Sequence, residues 1–110
     1  MDDILIGADW DHDIVVSVPS GMTSAELVTE MTGATATALI ENSAGTTVAT
    51  CTAVVDGTTK TISCTLTDTQ TGALTAQTGL YMDVRYTTTG GLIRGVRVGA
   101  SFRIIANPWA

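Results

Sequence analysis

Threonine sets the terms for this chain. It dominates the polar positions and alternates with small or branched apolar residues, as in Thr35-Ala36-Thr37-Ala38 and Thr61-Ile62-Ser63-Cys64-Thr65-Leu66. A period of two suits a strand with one packed and one wet face, and β-branched threonine fits a pleated surface. The fold class expected is all-β. Turn signals fall at short, regular intervals, so about seven short strands are expected, folded as an immunoglobulin-like two-sheet antiparallel sandwich, because a lone sheet would leave a large apolar face in water.

The strands can be placed against one another. Residues 2–8 and 11–18 read as the first two, the second stopped by Pro19-Ser20-Gly21. Segments 34–41, 46–55 and 60–67 form a meander. A four-residue loop at Asn42-Ser43-Ala44-Gly45 would set Ile40 beside Thr47, Ala38 beside Ala49 and Ala36 beside Cys51. A tight turn around Asp56-Gly57 would oppose Ala53 to Ile62 and Cys51 to Cys64. Both turns put Ala36, Ala38, Ile40, Ala49, Cys51, Ala53, Ile62, Cys64 and Leu66 on one face, the expected core, with the hydroxyls on its reverse. After a polar connection over 68–78, a closing hairpin with a loop at Thr89-Gly90-Gly91 would pair Val84 with Val96, Met82 with Val98 and Leu80 with Ala100, and bring Tyr86 near Arg94.

One stretch breaks the alternation. Thr23 and Glu26 have capping-box spacing, Met22 and Leu27 could staple the same end, and Gly33 is a suitable stop. The segment near 23–31 is therefore a short helix or a single helical turn in a crossover. The chain divides into an N-terminal segment, 1–10, the β-sandwich, 11–105, and a tail, 106–110.

At 110 residues there is room for one domain, and 45% hydrophobic content is enough for a packed core. Only 5% of residues are aromatic, so alanine, valine, isoleucine, leucine and methionine must fill it. A net charge of −6 disfavours nucleic acid and anionic membrane as partners. The opening MDDILIGADWDHDIV lacks the basic and uninterrupted apolar parts of a secretory signal, so synthesis in a cytoplasm with reduced cysteines is expected.

Little in the chain suggests catalysis. Asp9, Asp11 and Asp13 could attract a cation, but without calcium-loop spacing they also suit a solvated strand edge. His12 is the sole histidine, and no serine stands in a nucleophile-elbow context. Cys51 and Cys64 are either buried free thiols or, if oxidised, a bridge; their spacing is not CxxC. No enzymatic activity, catalytic residue, cofactor or metal is expected. Candidate interface residues are Arg85, Arg97 and Arg103, a possible docking stripe on one outer face, together with Trp10, Pro108 and Trp109 near the chain ends. Each tryptophan either anchors on a partner or caps its own core.

The run from Met31 to Val48, MTGATATALIENSAGTTV, resembles a pattern found in bacteriophage structural proteins, where an LTGATV phrase opens a strand and a DSAG turn leads into the next. The Asp56-Gly57 turn, the TDTQTGAL connection over 67–74, the Gly79-Leu80-Tyr81 strand and the closing hairpin are similar to the same immunoglobulin-like module, over residues 31–105. That resemblance implies a virion structural protein: a capsid decoration or cement subunit, with a tail or baseplate accessory or a cell-surface binding module as alternatives. The baseplate type continues past the sandwich into further parts, and a chain read as the sandwich alone is expected to be a free-standing subunit such as a decoration or cement protein. The partners implied are major capsid or tail proteins and further copies of the chain, in a particle built in the host cytoplasm.

Overall fold

The computed structural model describes residues 3–106, the side chains of 96–101 excepted. Seven strands and two helices follow in the order β1 (Asp3–Leu5), β2 (Trp10–Val15), α1 (Ser24–Met31), β3 (Thr35–Glu41), β4 (Thr47–Asp56), β5 (Thr61–Leu66), α2 (Asp68–Gly72), β6 (Gln77–Thr87) and β7 (Ile93–Ile105). The all-β expectation is met. The strands form one continuous sheet in the order β1-β7-β6-β3-β4-β5-β2, and this sheet is nearly closed into a barrel. β1 runs parallel to β7 and every other pair is antiparallel.

Two features curl the sheet. β4 serves two partners: its first half, Thr47 to Cys51, pairs with β3, and its second half, Thr52 to Asp56, pairs with β5. Meanwhile β1 and β2, neighbours in sequence, lie at opposite ends of the strand order, so the chain crosses from one edge to the other within Ile6–Asp9. Gly7 makes that crossing possible, because its φ of 84° lies in the left-handed region that costs a side chain energy.

The expected inward row is inside. Ala38, Ile40, Cys51, Ile62, Cys64, Leu66, Leu80, Met82 and Val84 are buried, Ala36, Ala49 and Ala53 half-buried, and Thr35, Thr37, Thr50, Thr52 and Thr65 exposed on the reverse. The pairings inside the meander are corrected by two residues. Ala38 faces Cys51 rather than Ala49, Ile40 faces Ala49 rather than Thr47, and Ala53 faces Cys64 rather than Ile62. Both loops are longer than the tightest turn allows: Asn42 N–H reaches Thr46 O at 3.0 Å, and residues 57–60 form the second loop, with Lys60 at φ 55°. In the first hairpin a bulge at Val48 adds the second step, so parity survives and the faces do not exchange. Cys51 and Cys64 are consequently not directly opposed, and both are free thiols.

The closing hairpin keeps Val84 with Val96, Met82 with Val98, Tyr86 with Arg94, and a loop over 89–91 closed by Thr88 N–H to Leu92 O at 2.9 Å. Leu80 faces Phe102 rather than Ala100, because the ladder shifts between Leu80 and Met82.

α1 forms with the expected box: Thr23 Oγ1 accepts from Glu26 N–H at 3.1 Å, and Thr23 N–H donates to Glu26 Oε1 at 2.9 Å. Leu27 and Met31 are fully buried, so this helix plugs one end of the barrel. A Cβ on Gly57 would lie 2.8 Å from the Thr32 backbone nitrogen, so only glycine lets the β4–β5 loop meet the end of the helix. α2 falls within the stretch expected to be a plain polar connection.

Candidate interaction surface

The β1–β2 crossing is fixed by α2. Thr71, fully buried, accepts from Gly7 N–H at 3.1 Å and donates to Ala8 O at 2.8 Å, while Asp9 Oδ1 accepts from Asp68 N–H at 2.7 Å. β2 then runs opposite β7 across the seam of the barrel. Trp10 meets Phe102 edge-on, with ring centroids 5.8 Å apart, and His12 does so at 5.1 Å. Side chains close this end of the seam, and no backbone ladder joins the two strands. Farther along lies a cleft of about 280 Å³ whose lining includes Val15, Val16, Pro19, Tyr86 and Gly95.

Trp10 is thus a core residue, only 7% exposed, so of its two readings the chain itself takes the one that caps its own core, in place of the interface position. Its ring neighbours, His12 and Phe102, lie where β2 and β7 meet through side chains. The three arginines do not stand as a free stripe. Arg103 binds Asp3 through two bonds, 2.7 and 3.0 Å, clamping β1 onto β7, and the guanidinium holds the Asp3 carboxyl below the usual range. Arg85 is exposed and lies 3.4 Å from Asp83. Arg97 stands opposite Asp83 in the ladder, with its side chain outside the described residues, as are Pro108 and Trp109.

Arg94 was outside the expected set, yet it carries the densest polar contact of the barrel end. Its Nε donates to Glu30 Oε1 at 2.6 Å, and Tyr86 Oη donates to the same oxygen at 3.3 Å. The Arg94 bond holds Glu30 below the ordinary glutamate value, whereas burial first, and then the Glu30 charge, push Tyr86 up. The signal in sequence was the Tyr86–Arg94 cross-strand pair; only the helix position supplied the acid. Burial raises Cys51 to about 12 and Cys64 to about 11, with smaller contributions from each thiol's charged surroundings, so both stay protonated and inert near neutrality.

Asp11 and Asp13 project into solvent from β2, but Asp9 lies outside the strand, bonded to α2. Among the described residues no group of three histidine, cysteine or acidic side chains is placed to hold a metal. Among the described residues, the surface available for contact includes the outer hydroxyl face with Val54, Val15 at the end of β2 (70% exposed), and the tip of the β6–β7 hairpin, where Leu92 and Ile93 are 50% and 63% exposed. No family model, curated protein or solved structure matches the chain.

Proposed function

We propose that this chain is an immunoglobulin-like, non-enzymatic structural subunit of a bacteriophage particle, acting as a capsid decoration or cement protein. The observation that carries the reading is the strand connectivity. Immunoglobulin-like sandwiches group the second, fifth and fourth strands in one layer and the third, sixth and seventh in the other. Here β2, β5 and the second half of β4 form one ladder, and β3, β6 and β7 another, with β1 beside the last strand. A shared β4 turns two layers into one continuous, almost closed sheet. The phage-like cadence of residues 31–105 supports the same reading, although the chain has no cysteine pair linking the layers.

In this role the protein binds the assembled lattice better than free subunits and shifts assembly by mass action. Many copies, contacting capsid or tail proteins through strand edges and terminal segments, would add buried area without chemistry. Sedimentation of the purified chain with and without empty capsids or tails tests it: co-sedimentation with shells is expected. Binding restricted to glycan-coated surfaces would favour a cell-surface module instead, with contact through the barrel-end loops.

A further inference from the structure

We propose that the cleft between the end of β2 and the start of β7 binds a small monocarboxylic acid with an apolar body. The cleft holds about 280 Å³, near the lower limit for a small-molecule pocket, so its occupant is about the size of one large side chain. Val15, Val16, Pro19 and the ring of Tyr86 supply apolar walls, and the polar side-chain groups set among them are the Ser17 hydroxyl and the Arg94 guanidinium. Both can donate hydrogen bonds to a carboxylate.

Charge singles this cleft out. With 11 acidic residues against 5 basic, the chain repels anions over most of its surface. Three other clefts each carry two acids: Glu26 and Glu30 beside α1, Asp9 and Asp11 at the start of β2, and Glu41 and Asp83 on the outer face of β3 and β6. Among the described residues that line the cleft beside Val15 there is no acid, and Arg94 supplies a cation. Arg94 is already ion-paired, and that pairing prepares it for a ligand. Glu30 takes Nε at 2.6 Å and one terminal nitrogen at 3.4 Å, which uses two of the five N–H groups of a guanidinium and fixes the plane of the fork. Glu30 itself does not line the cleft, so an occupant meets the donor and not the acid. Apolar walls then favour a hydrocarbon body over a bare anion.

Binding of an acid here needs no phage particle, so its failure and the failure of the preceding reading are separate outcomes. The test titrates the full chain with phenylacetate while backbone amide NMR shifts are followed. Shifts clustered on residues 15–17, 86 and 94 are expected, saturating with a dissociation constant of about 1 mM or below. Phenylacetamide keeps the shape without the charge, and acetate keeps the charge without the body; each should bind at least about tenfold more weakly. Ser17→Asp places an acid at the exposed rim and should weaken phenylacetate by a similar factor, as should Arg94→Gln, with the melting temperature as the folding control for both. Should Arg94→Gln fail to fold, Ser17→Asp carries the test, because Ser17 is exposed. Shifts that do not saturate or that centre elsewhere, equal binding by phenylacetamide or acetate, unchanged affinity in either folded variant, or tighter binding by an N-acetylated tripeptide ending in phenylalanine than by the free acid would each overturn the proposal.

Discussion

The two ends of the barrel begin their helices with the same device and are held by different forces. At one end, Thr23 and Glu26 cap α1, which then buries Leu27 and Met31 completely and adds the Glu30–Arg94 pair. At the other, Thr67 and Gln70 cap α2, whose buried side chain is a single hydroxyl, Thr71, spent on the backbone of Gly7 and Ala8. A capping box starts a helix; what the helix then touches decides its contribution. α1 is an apolar plug and α2 a polar clamp on the strand crossing.

Leu27→Ala probes the plug, and removal of a fully buried leucine there should cost about 2–5 kcal/mol of unfolding free energy, read from urea midpoints. A loss below about 1 kcal/mol would show that the helix rides on the barrel rather than sealing it. Thr71→Val keeps the shape of the clamp and strips its hydroxyl, leaving Gly7 N–H and Ala8 O unmatched; about 1–3 kcal/mol should be lost, with faster amide exchange at Gly7. An unchanged exchange rate would place the hold on the crossing elsewhere. The caps themselves should be nearly equal: Thr23→Ala and Thr67→Ala each cost about 1 kcal/mol, and a much larger effect for Thr67 would mean that α2 lives or dies by its cap.

The smallest effect expected is on the acid limb. Glu30 is held below its ordinary value of 4.5 in the folded chain, so the stability it contributes is present above that pH and is lost as pH falls through the lowered folded value. Glu30→Gln should flatten the melting-temperature profile between pH 5 and pH 3 by about a few degrees at most. An unaltered slope would assign the acid limb to Asp3 instead, whose carboxyl is also held low by an arginine.

Both capping boxes were written in the sequence, but only Thr23 was followed by an obvious apolar pattern. Thr67 and Gln70 have the same spacing, and the helix after them was hidden because Asp68-Thr69-Gln70-Thr71-Gly72 offers no apolar face to detect. Thr71 reads as one more surface hydroxyl until the β1–β2 crossing is laid against it. Trp10 was left with two readings for a related reason: position near a chain end carries no information about depth, and Phe102, its partner, lies far away in sequence. The outward Arg103 was legible from strand parity, whereas its bond to Asp3 required the parallel ladder of β1 on β7.

By itself the sequence determined which residues face inward and how the β6–β7 loop turns. Side-chain parity has a period of two, and a glycine such as Gly91, at φ 88°, fixes local geometry within a few residues. The tertiary structure alone decided the lateral register of the meander, the splitting of β4 between two partners, and the meeting of β2 with β7 through side chains at the seam. A shift of two residues leaves every face unchanged, so the pattern cannot distinguish such registers; loop length, the Val48 bulge and close contacts such as Gly57 against Thr32 do.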